Sequence, residues 1–341
     1  MKVLLFFPTV VDPLNFPSIA CKLKESLSKA LKHFHPLSGR LSWSPDSKRF
    51  EIIYDAQSPS TTFIEAECEE DFGLLVKADV HNARVYEELA PPLYNEDKAM
   101  EVLSIQFTRF GGGGLVIGVS MHHVLGDGRS YYSFIKSWAE ICRTGELEGG
   151  ALAGQVGRDG ARISSPGFMR GVLWRPRRGS LLHPPHPETY FGNLITPCFV
   201  EAEASRLLCD DDNLAFAAAT IQTAVRGVKE DPLRDCEAWP VWLAKTREPS
   251  RATFNVLGSP TFKAYEVDFG WGGGPERIEY VLKDRVGTMV LADAKDEVGG
   301  FQVCMVLPPS EMDEFSNPLH GWFLRLMRVW GVVCAYPCLK A

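Results

Sequence analysis

The sequence predicts an α/β protein with two lobes. The chain has 341 residues, of which 45% are apolar, and at roughly 100–200 residues per domain this length suggests two domains, each with its own core. Strand-like and helix-like segments follow one another along the chain. Residues 145–187, rich in Gly, Pro and Arg, separate two sets of such segments. We therefore expect an N-terminal lobe over residues 1–144, a linker over 145–187 and a C-terminal lobe over 188–341.

Hydrophobic patterning predicts the first elements. Residues 3–7 have the sequence VLLFF, which is typical of a buried strand, and residues 17–34 carry apolar side chains at helical spacing. Two β-rich segments, HPLSGRLSW and RFEIIYDAQ, predict a pair of strands. Residues 63–72 (FIEAECEEDF) predict a short polar helix or a loop. Its acids from Glu65 to Asp71 indicate a solvated face rather than a metal site, because a run of charge does not by itself bring ligand oxygens together.

A hairpin is predicted next. The segments MEVLSIQFTRF and LVIGVSMHH flank the glycines 111–114, which indicates two antiparallel strands joined by a flexible turn. A phosphate-binding loop would need Gly-Lys-Ser/Thr before a helix, and these glycines lead into a strand. Strand alternation over residues 115–123 places His123 on the inner face with Met121, and His122 on the opposite face.

Strand-like and helical segments resume after the linker. They have the sequences YFGNLITPCFVEAEAS, FAAATIQTAVRGV, FKAYEVDFGWG, GTMVLADAK and GGFQVCMVLP. The structureless character of residues 145–187 fits a connection between domains, since such long connections are uncommon within one. These observations predict a second α/β lobe.

Charge and composition limit the partners. The net charge is −7, with 43 acidic and 36 basic residues, which argues against nucleic acid and anionic membrane, because both need a basic surface. No stretch approaches the ~20 apolar residues that span a bilayer. Pro8, Asp12 and Pro13 interrupt the apolar N-terminus, which therefore does not resemble a signal peptide. We expect a monomeric cytoplasmic protein that binds small molecules.

Cysteines and histidines give no metal site. The nine cysteines are odd in number and include no Cys-x-x-Cys pair, so neither a disulfide framework nor a zinc ribbon is indicated, and a reducing compartment is expected. The histidine pairs His33/His35, His183/His186 and His122/His123 lack an identifiable third ligand. A histidine at the end of a strand suits general-base chemistry near neutral pH, although a purely structural histidine is the alternative.

Two motifs in this order resemble a known family. They are His-x-x-x-Asp-Gly, at His123, Asp127 and Gly128, and Asp-Phe-Gly-Trp-Gly at 268–272. Together they resemble the plant BAHD acyl-CoA-dependent acyltransferases. Further segments, including SLSKALKHFHPLSGRL, PPHPETYFGN and GGFQVCMVLPPSEMDEF, resemble the anthocyanin and phenolic-glucoside branch of that family. The resemblance extends over most of the chain.

The resemblance implies a fold and a reaction. The fold is the two-lobed chloramphenicol-acetyltransferase-like α/β architecture with mixed sheets and the catalytic histidine between the lobes. The reaction moves a malonyl, hydroxycinnamoyl or other acyl group from acyl-CoA, a co-substrate, to a hydroxyl of a flavonoid or phenolic glycoside. No permanently bound cofactor and no metal are implied. His123 is the implied general base, and no covalent acyl-enzyme is required.

The other motif residues have supporting roles by the same resemblance. Asp127 turns away from the substrate and pairs with an arginine, for which Arg178 is our first choice and Arg177 the alternative; a solvated charge is the competing interpretation of Arg178. Gly128 is expected to permit a tight turn. Asp268, Gly270 and Gly272 are expected to shape their loop. Trp271 is the candidate for a contact between its indole N–H and the oxyanion.

This chain departs from the family pattern in length. By comparison with the family, we expect an initial strand and loop ahead of Met1 to be missing, and also a long middle part ahead of the Tyr190-Phe191-Gly192-Asn193 sequence. Leu194 replaces the cysteine that usually follows this sequence. The middle part carries some of the CoA-binding surface in the family, so we expect the 341-residue form to have little or no activity. A truncated, catalytically silent paralogue or an incomplete gene model is therefore the alternative.

Other enzyme classes fit less well. A peptide-forming condensation domain shares His-His-x-x-x-Asp-Gly and the two-lobed fold, but the Asp-Phe-Gly-Trp-Gly sequence and the lack of carrier domains argue against it. A serine hydrolase is not favoured, because the chain contains no Gly-x-Ser-x-Gly sequence.

Overall fold

The computed structural model describes residues 1–8, 15–54, 61–96, 99–147, 173–176, 190–209, 212–231, 236–245, 253–282, 287–295, 300–316 and 331–335. Its helices are α1 Phe16–His33, α2 Phe72–Lys77, α3 Ala83–Glu88, α4 Gly128–Thr144, α5 Ala204–Cys209, α6 Asn213–Glu230, α7 Trp239–Lys245 and α8 Pro309–Ser316. Its strands are β1 Lys2–Phe7, β2 Arg40–Ser44, β3 Arg49–Ile53, β4 Thr62–Cys68, β5 Val80–Asn82, β6 Asn95–Glu96, β7 Ala99–Glu101, β8 Leu103–Phe110, β9 Leu115–Met121, β10 Leu173–Pro176, β11 Ile195–Cys198, β12 Asn255–Gly258, β13 Arg277–Tyr280, β14 Thr288–Asp293, β15 Phe301–Leu307 and β16 Gly331–Ala335.

The first sheet has the strand order β13-β1-β9-β8-β4. β1 lies antiparallel to both β9 and β13, and β8 forms the predicted antiparallel hairpin with β9. Every residue of β9 is buried. Its odd-numbered side chains share the main core with helices α1 and α4, and Val116 on the other face packs in a second cluster with Leu75 and Tyr86. The predicted strand at residues 3–7, the helix after it and the β2–β3 pair are confirmed.

The prediction of a polar helix or loop at residues 63–72 is wrong over most of its length. Residues 62–68 form β4, an edge strand that pairs in parallel with β8. Exposed Glu65 and Glu67 alternate with half-buried neighbours and make ion pairs with Lys24 and Arg109. Pairing with β8 therefore overrides the low strand propensity of the acids. Asp71 accepts a hydrogen bond from the N–H of Leu74 and caps α2.

The second sheet has the order β12-β14-β15-β16-β5. Each of the two sheets includes one strand from the other half of the chain, β13 in the first sheet and β5 in the second. The two halves of the chain therefore share both sheets. The lobe boundaries at 144 and 188 stay a prediction. Buried Arg277 reinforces this joint, since its guanidinium pairs with Glu279 at 2.5 Å and donates to the carbonyl of Val76 at 2.7 Å.

Part of the predicted linker is structured. Residues 173–176 form β10, which pairs antiparallel with β11, so the expectation that residues 145–187 lack regular structure is wrong there. Leu173 and Trp174 are the only apolar residues of this short strand, and the surrounding arginines and prolines gave no strand signal. Residues 148–172 and 177–189 lie outside the described residues, and so does Arg178.

Candidate active site

The two histidines lie just beyond the end of β9. The strand ends at Met121, and the N–H of His122 donates to the carbonyl of Val102 at 2.8 Å, which closes the ladder. The chain then turns: the N–H of Leu125 donates to the carbonyl of His122 at 3.2 Å. We call residues 122–127 the histidine turn.

The imidazole of His122 is used inside this turn. Its Nδ1 accepts a hydrogen bond from the N–H of Val124 at 3.2 Å. Burial, then the positive charges of the N-terminal ammonium and of His123, lower the pKa of His122 to about 4. His122 is therefore neutral at physiological pH and a weak base.

His123 is exposed. The strand alternation that placed it on the inner face with Met121 is wrong, because β9 ends two residues before it and the chain has already turned. The assignment of His123 as the base stays a prediction. The difference between the two histidines is that the ring of His122 accepts from the backbone, whereas His123 presents its side chain at the surface of the turn.

Asp127 holds the other end of the histidine turn. Its side chain is buried, with 5% exposure. One carboxylate oxygen accepts from the N–H of Ser130 at 3.0 Å and caps α4, and the other accepts from the N–H of Leu194 at 3.1 Å. A carboxylate at a helix N-terminus is stabilised by the unpaired amides and the helix dipole. These contacts support the expected structural role through backbone amides; the expected partner Arg178 lies outside the described part of the chain.

Gly128 starts α4 for a reason other than the one expected. Its backbone lies outside the left-handed region that favours glycine. A Cβ atom at this position would lie 2.6 Å from the ring of Phe262, so close packing requires glycine here. The prediction that Gly128 is needed for a tight turn is wrong.

The segment 190–194 clamps the histidine turn from the C-terminal half. The N–H of Asp127 donates to the carbonyl of Gly192 at 3.2 Å, and the hydroxyl of Ser130 lies 2.9 Å from the same oxygen and 3.0 Å from the N–H of Gly192. The side-chain amide of Asn193 donates to the carbonyls of His123 at 2.8 Å and Val124 at 3.2 Å. Sequence reasoning missed these roles, although it singled out the sequence Tyr190-Phe191-Gly192-Asn193 as part of the resemblance.

Further residues from the C-terminal half fix the start of α4. The hydroxyls of Tyr132 and Tyr280 lie 2.7 Å apart, and the ring of Phe262 stacks on Tyr132 with a centroid distance of 5.6 Å. The hydroxyl of Tyr131 donates to the carbonyl of Val119 at 3.1 Å. Burial raises the pKa of both tyrosines on α4 well above the ordinary value. They are thus neutral anchors that tie α4 to β9 and β13.

The loop 268–272 is built as a structural turn. A carboxylate oxygen of Asp268 accepts from the N–H of Gly270 at 2.7 Å. Gly270 and Gly272 have φ values of +89° and +97°, which side chains rarely adopt. These features agree with the expected shape roles of the three residues.

Trp271 lies away from the histidine turn. Its ring packs edge-on against Phe7 at 5.1 Å and stacks with Phe269 at 5.3 Å. Phe7 pairs with Leu115, at the opposite end of β9 from Met121, and six residues of strand span about 20 Å. The expected contact of the Trp271 indole with an oxyanion at His123 does not fit this geometry.

The described ranges contain neither a metal-binding cluster nor a membrane-spanning helix. Within them, no group of three or more His, Cys, Asp or Glu side chains is arranged to hold a metal ion. None of their helices has the length and apolar character needed to cross a membrane.

Comparison with protein families and curated proteins gives consistent matches. The model of the Transferase family matches residues 1–149 and 177–320. Phenolic glucoside malonyltransferase 1 of Arabidopsis thaliana is 23% identical over an alignment of 417 residues, which covers 92% of this chain and 86% of that protein. Malonyl-coenzyme:anthocyanin 5-O-glucoside-6'''-O-malonyltransferase of Salvia splendens is 26% identical over 387 residues, with 88% of this chain and 83% of that protein covered.

Comparison with solved structures confirms the fold. Vinorine synthase matches with a TM-score of 0.64 at 20% identity, covering 86% of this chain and 83% of that one. TRI101 of F. sporotrichioides, in complex with coenzyme A and T-2, matches with a TM-score of 0.61 at 15% identity over 86% and 87% of the two chains. The first condensation domain of the CDA synthetase matches with a TM-score of 0.53 at 14% identity over 87% and 83%. At these identities the likeness concerns the two-lobed acyltransferase fold alone.

Proposed function

We propose a function that rests on family membership. The chain belongs to the Transferase family of BAHD acyltransferases, whose model matches residues 1–149 and 177–320. The chain is an acyl-CoA-dependent O-acyltransferase. Its acceptor, in our proposal, is a sugar hydroxyl of an anthocyanin or phenolic glucoside. Malonyl-CoA is the first donor to test and hydroxycinnamoyl-CoA the second, because the relatives named above are malonyltransferases of such glucosides.

The proposed base is His123. The observation that carries this assignment is that its exposed imidazole stands on a turn held at both ends, by Asn193 and by Asp127. The neighbouring His122 has a pKa of about 4 and accepts from the backbone within the turn. An efficient general base has a pKa near the working pH, so His122 is the weaker candidate.

The chemistry is a single acyl transfer. The imidazole of His123 accepts the proton of the acceptor hydroxyl while the hydroxyl oxygen attacks the thioester carbonyl carbon. The resulting tetrahedral oxyanion collapses, the C–S bond breaks, and the CoA thiolate takes the proton from the imidazolium. An ester and free CoA result, with no net change in protons.

A direct assay tests this proposal. The purified chain is incubated with malonyl-CoA or hydroxycinnamoyl-CoA and a panel of anthocyanin and phenolic glucosides, and products are separated and identified by mass. The shortened middle of the sequence led us to expect little or no activity, whereas the function proposed here predicts one acyl group per acceptor and one free CoA per product. Thioester hydrolysis without acceptor acylation, or transfer to an amine only, would contradict the proposed acceptor class.

A second candidate is a truncated, catalytically silent paralogue or an incomplete gene product. The alignment with the Arabidopsis thaliana relative extends over 417 residues, more than the 341 of this chain, so segments of the relative have no counterpart here. Helix α6 has no buried side chain, and its Leu214 and Ile221 are 47% and 44% exposed. An open cleft of about 620 Å³ lies between α6 and residues 197–201. An amphipathic helix in an intact core buries one face.

Ligand-dependent unfolding distinguishes the two candidates. A functional chain unfolds cooperatively, and malonyl-CoA or CoA raises its Tm because binding stabilises the folded state. A silent chain gives a broad transition and no shift. Sequencing the transcript shows in addition whether a middle segment has been lost from the chain.

Localisation, assembly and cofactor use are part of the proposal. We propose a cytoplasmic monomer that uses acyl-CoA as co-substrate and holds no permanent cofactor. Light scattering on the purified chain tests whether the protein is a monomer, since a dimer would double the 37.9 kDa mass. The condensation-domain alternative shares the fold and the His-His-x-x-x-Asp-Gly sequence. Transfer from a carrier-bound thioester but not from acyl-CoA would favour it.

A further inference from the structure

The carbonyl groups of the proposed base and of the next residue are both bound by one side chain. The amide nitrogen of Asn193 donates to the oxygen of His123 at 2.8 Å and to that of Val124 at 3.2 Å. Both contacted atoms are carbonyl oxygens, which accept hydrogen bonds only from donors. The amide nitrogen of Asn193, and not its oxygen, must therefore face them. The two N–H groups of one planar amide therefore set the orientation of two successive peptide planes.

The remaining contacts of segment 190–194 use backbone atoms or reach a different part of the turn. Gly192 bonds Asp127 and Ser130 through its backbone, and Leu194 bonds the Asp127 carboxylate through its N–H. A change from the usual cysteine to Leu194 thus leaves this contact in place. Asn193 differs, because its contribution is made by a side chain and goes to the histidine itself.

We infer that Asn193 is a positioning residue for His123, an inference that rests on the proposed function. The rotation of the peptide plane between His123 and Val124 sets the direction of the Cα–Cβ bond and so of the imidazole. Without Asn193 the two carbonyls bond to water and the turn samples several orientations. Misplacement of a base lowers the rate of the chemical step while substrate binding continues.

The test uses two substitutions and a matched control. Asn193→Ala removes the donors, and Asn193→Asp keeps the side-chain size while replacing the amide with oxygens that cannot donate. Asn213→Ala is the control: Asn213 also donates its side-chain amide to a backbone carbonyl, that of Leu207 at 3.2 Å, but at the start of α6. Each variant is characterised by kcat, KM for both substrates, Tm and hydrogen–deuterium exchange of peptides covering the histidine turn.

We expect both Asn193 variants to lose about tenfold in kcat, equivalent to about 1.4 kcal/mol in the barrier, with KM for both substrates within about twofold. Exchange should rise in the histidine turn and stay unchanged elsewhere, with Tm preserved. Asn213→Ala should match wild type in kcat and in exchange of the turn. If Asn193→Asp keeps the wild-type kcat and exchange, the inference is overturned, because a side chain of the same size without the amide donors would then be enough to hold the histidine turn. A loss of Tm that accounts for the loss of rate would also overturn it.

Exchange separates this inference from the proposed function. If the wild-type chain transfers no acyl group, the proposed function fails, and exchange of the histidine turn still decides whether Asn193 fixes it. If transfer occurs and the Asn193 variants behave as wild type, the function stands and the positioning role fails.

Discussion

Replacement of Asp127 by alanine removes two backbone hydrogen bonds from one buried carboxylate. One is the cap on the N–H of Ser130 at 3.0 Å, and the other is the bond to the N–H of Leu194 at 3.1 Å. Loss of an N-cap costs about 0.5–2 kcal/mol, and loss of a further hydrogen bond to the carboxylate costs about 1 kcal/mol. We therefore expect the free energy of unfolding to fall by roughly 2 kcal/mol.

Activity should fall with it, because the histidine turn and segment 190–194 lose the group that joins them. Asp127→Asn is the matched control. Asparagine keeps one acceptor and is a good N-cap, but its amide nitrogen faces the N–H of Leu194, so its stability and kcat should lie between those of wild type and Asp127→Ala. Urea unfolding and steady-state kinetics on the three proteins measure both effects. Unchanged stability together with abolished kcat in both variants would refute the structural role, since a group that transfers protons gives that result.

Three further substitutions test the packing of Gly128, the pKa of His122 and the role of Trp271. Gly128→Ala places a Cβ 2.6 Å from the ring of Phe262 and should cost about 1–3 kcal/mol of stability, which Phe262→Leu should partly restore; a Tm equal to wild type would contradict the close contact. His122 has a folded pKa of about 4, below its unfolded value, so the stability it contributes is present above pH 6.5 and is lost as pH falls through pH 4. Wild type should therefore lose roughly 3 kcal/mol more than His122→Gln over that interval in urea titrations, and parallel pH profiles would contradict the lowered pKa. Trp271→Phe should lower Tm through lost packing on Phe7 and leave kcat unchanged; a lower kcat at unchanged Tm would instead support an oxyanion contact.

The local sequence pattern was sufficient to predict the elements with strongly apolar sequences. Apolar runs predict β1 and the β8–β9 hairpin, whose strands are buried on both faces. Apolar side chains at helical spacing predict α1, which buries one face. The edge strand β4 was not predictable in this way, since Glu65 and Glu67 lower its strand propensity and only pairing with β8 reveals it. The exchange of β5 and β13 between the sheets depends on contacts between residues far apart in the chain, which periodicity does not encode.

The residues assigned to the site stay predictions, and the geometry expected for them was wrong in part. The family resemblance singled out His123 and Asp127, and in the structure the Asp127 carboxylate accepts hydrogen bonds from two backbone amides. His123 does not lie on the inner face because β9 ends at Met121, and the ends of elements are the part that sequence pattern predicts least well. Asn193 was visible only as one letter of a familiar sequence, because its partners lie about 70 positions away in the chain.

We propose that His123, and not His122, accepts the proton of the acceptor hydroxyl. The most direct measurement is kcat and KM of His123→Ala and His122→Ala beside wild type, with malonyl-CoA and a phenolic glucoside. We expect a loss of about 10²–10⁴-fold in kcat for His123→Ala at nearly constant KM, and a far smaller loss for His122→Ala. Equal losses in the two variants, or full turnover by His123→Ala, would contradict it.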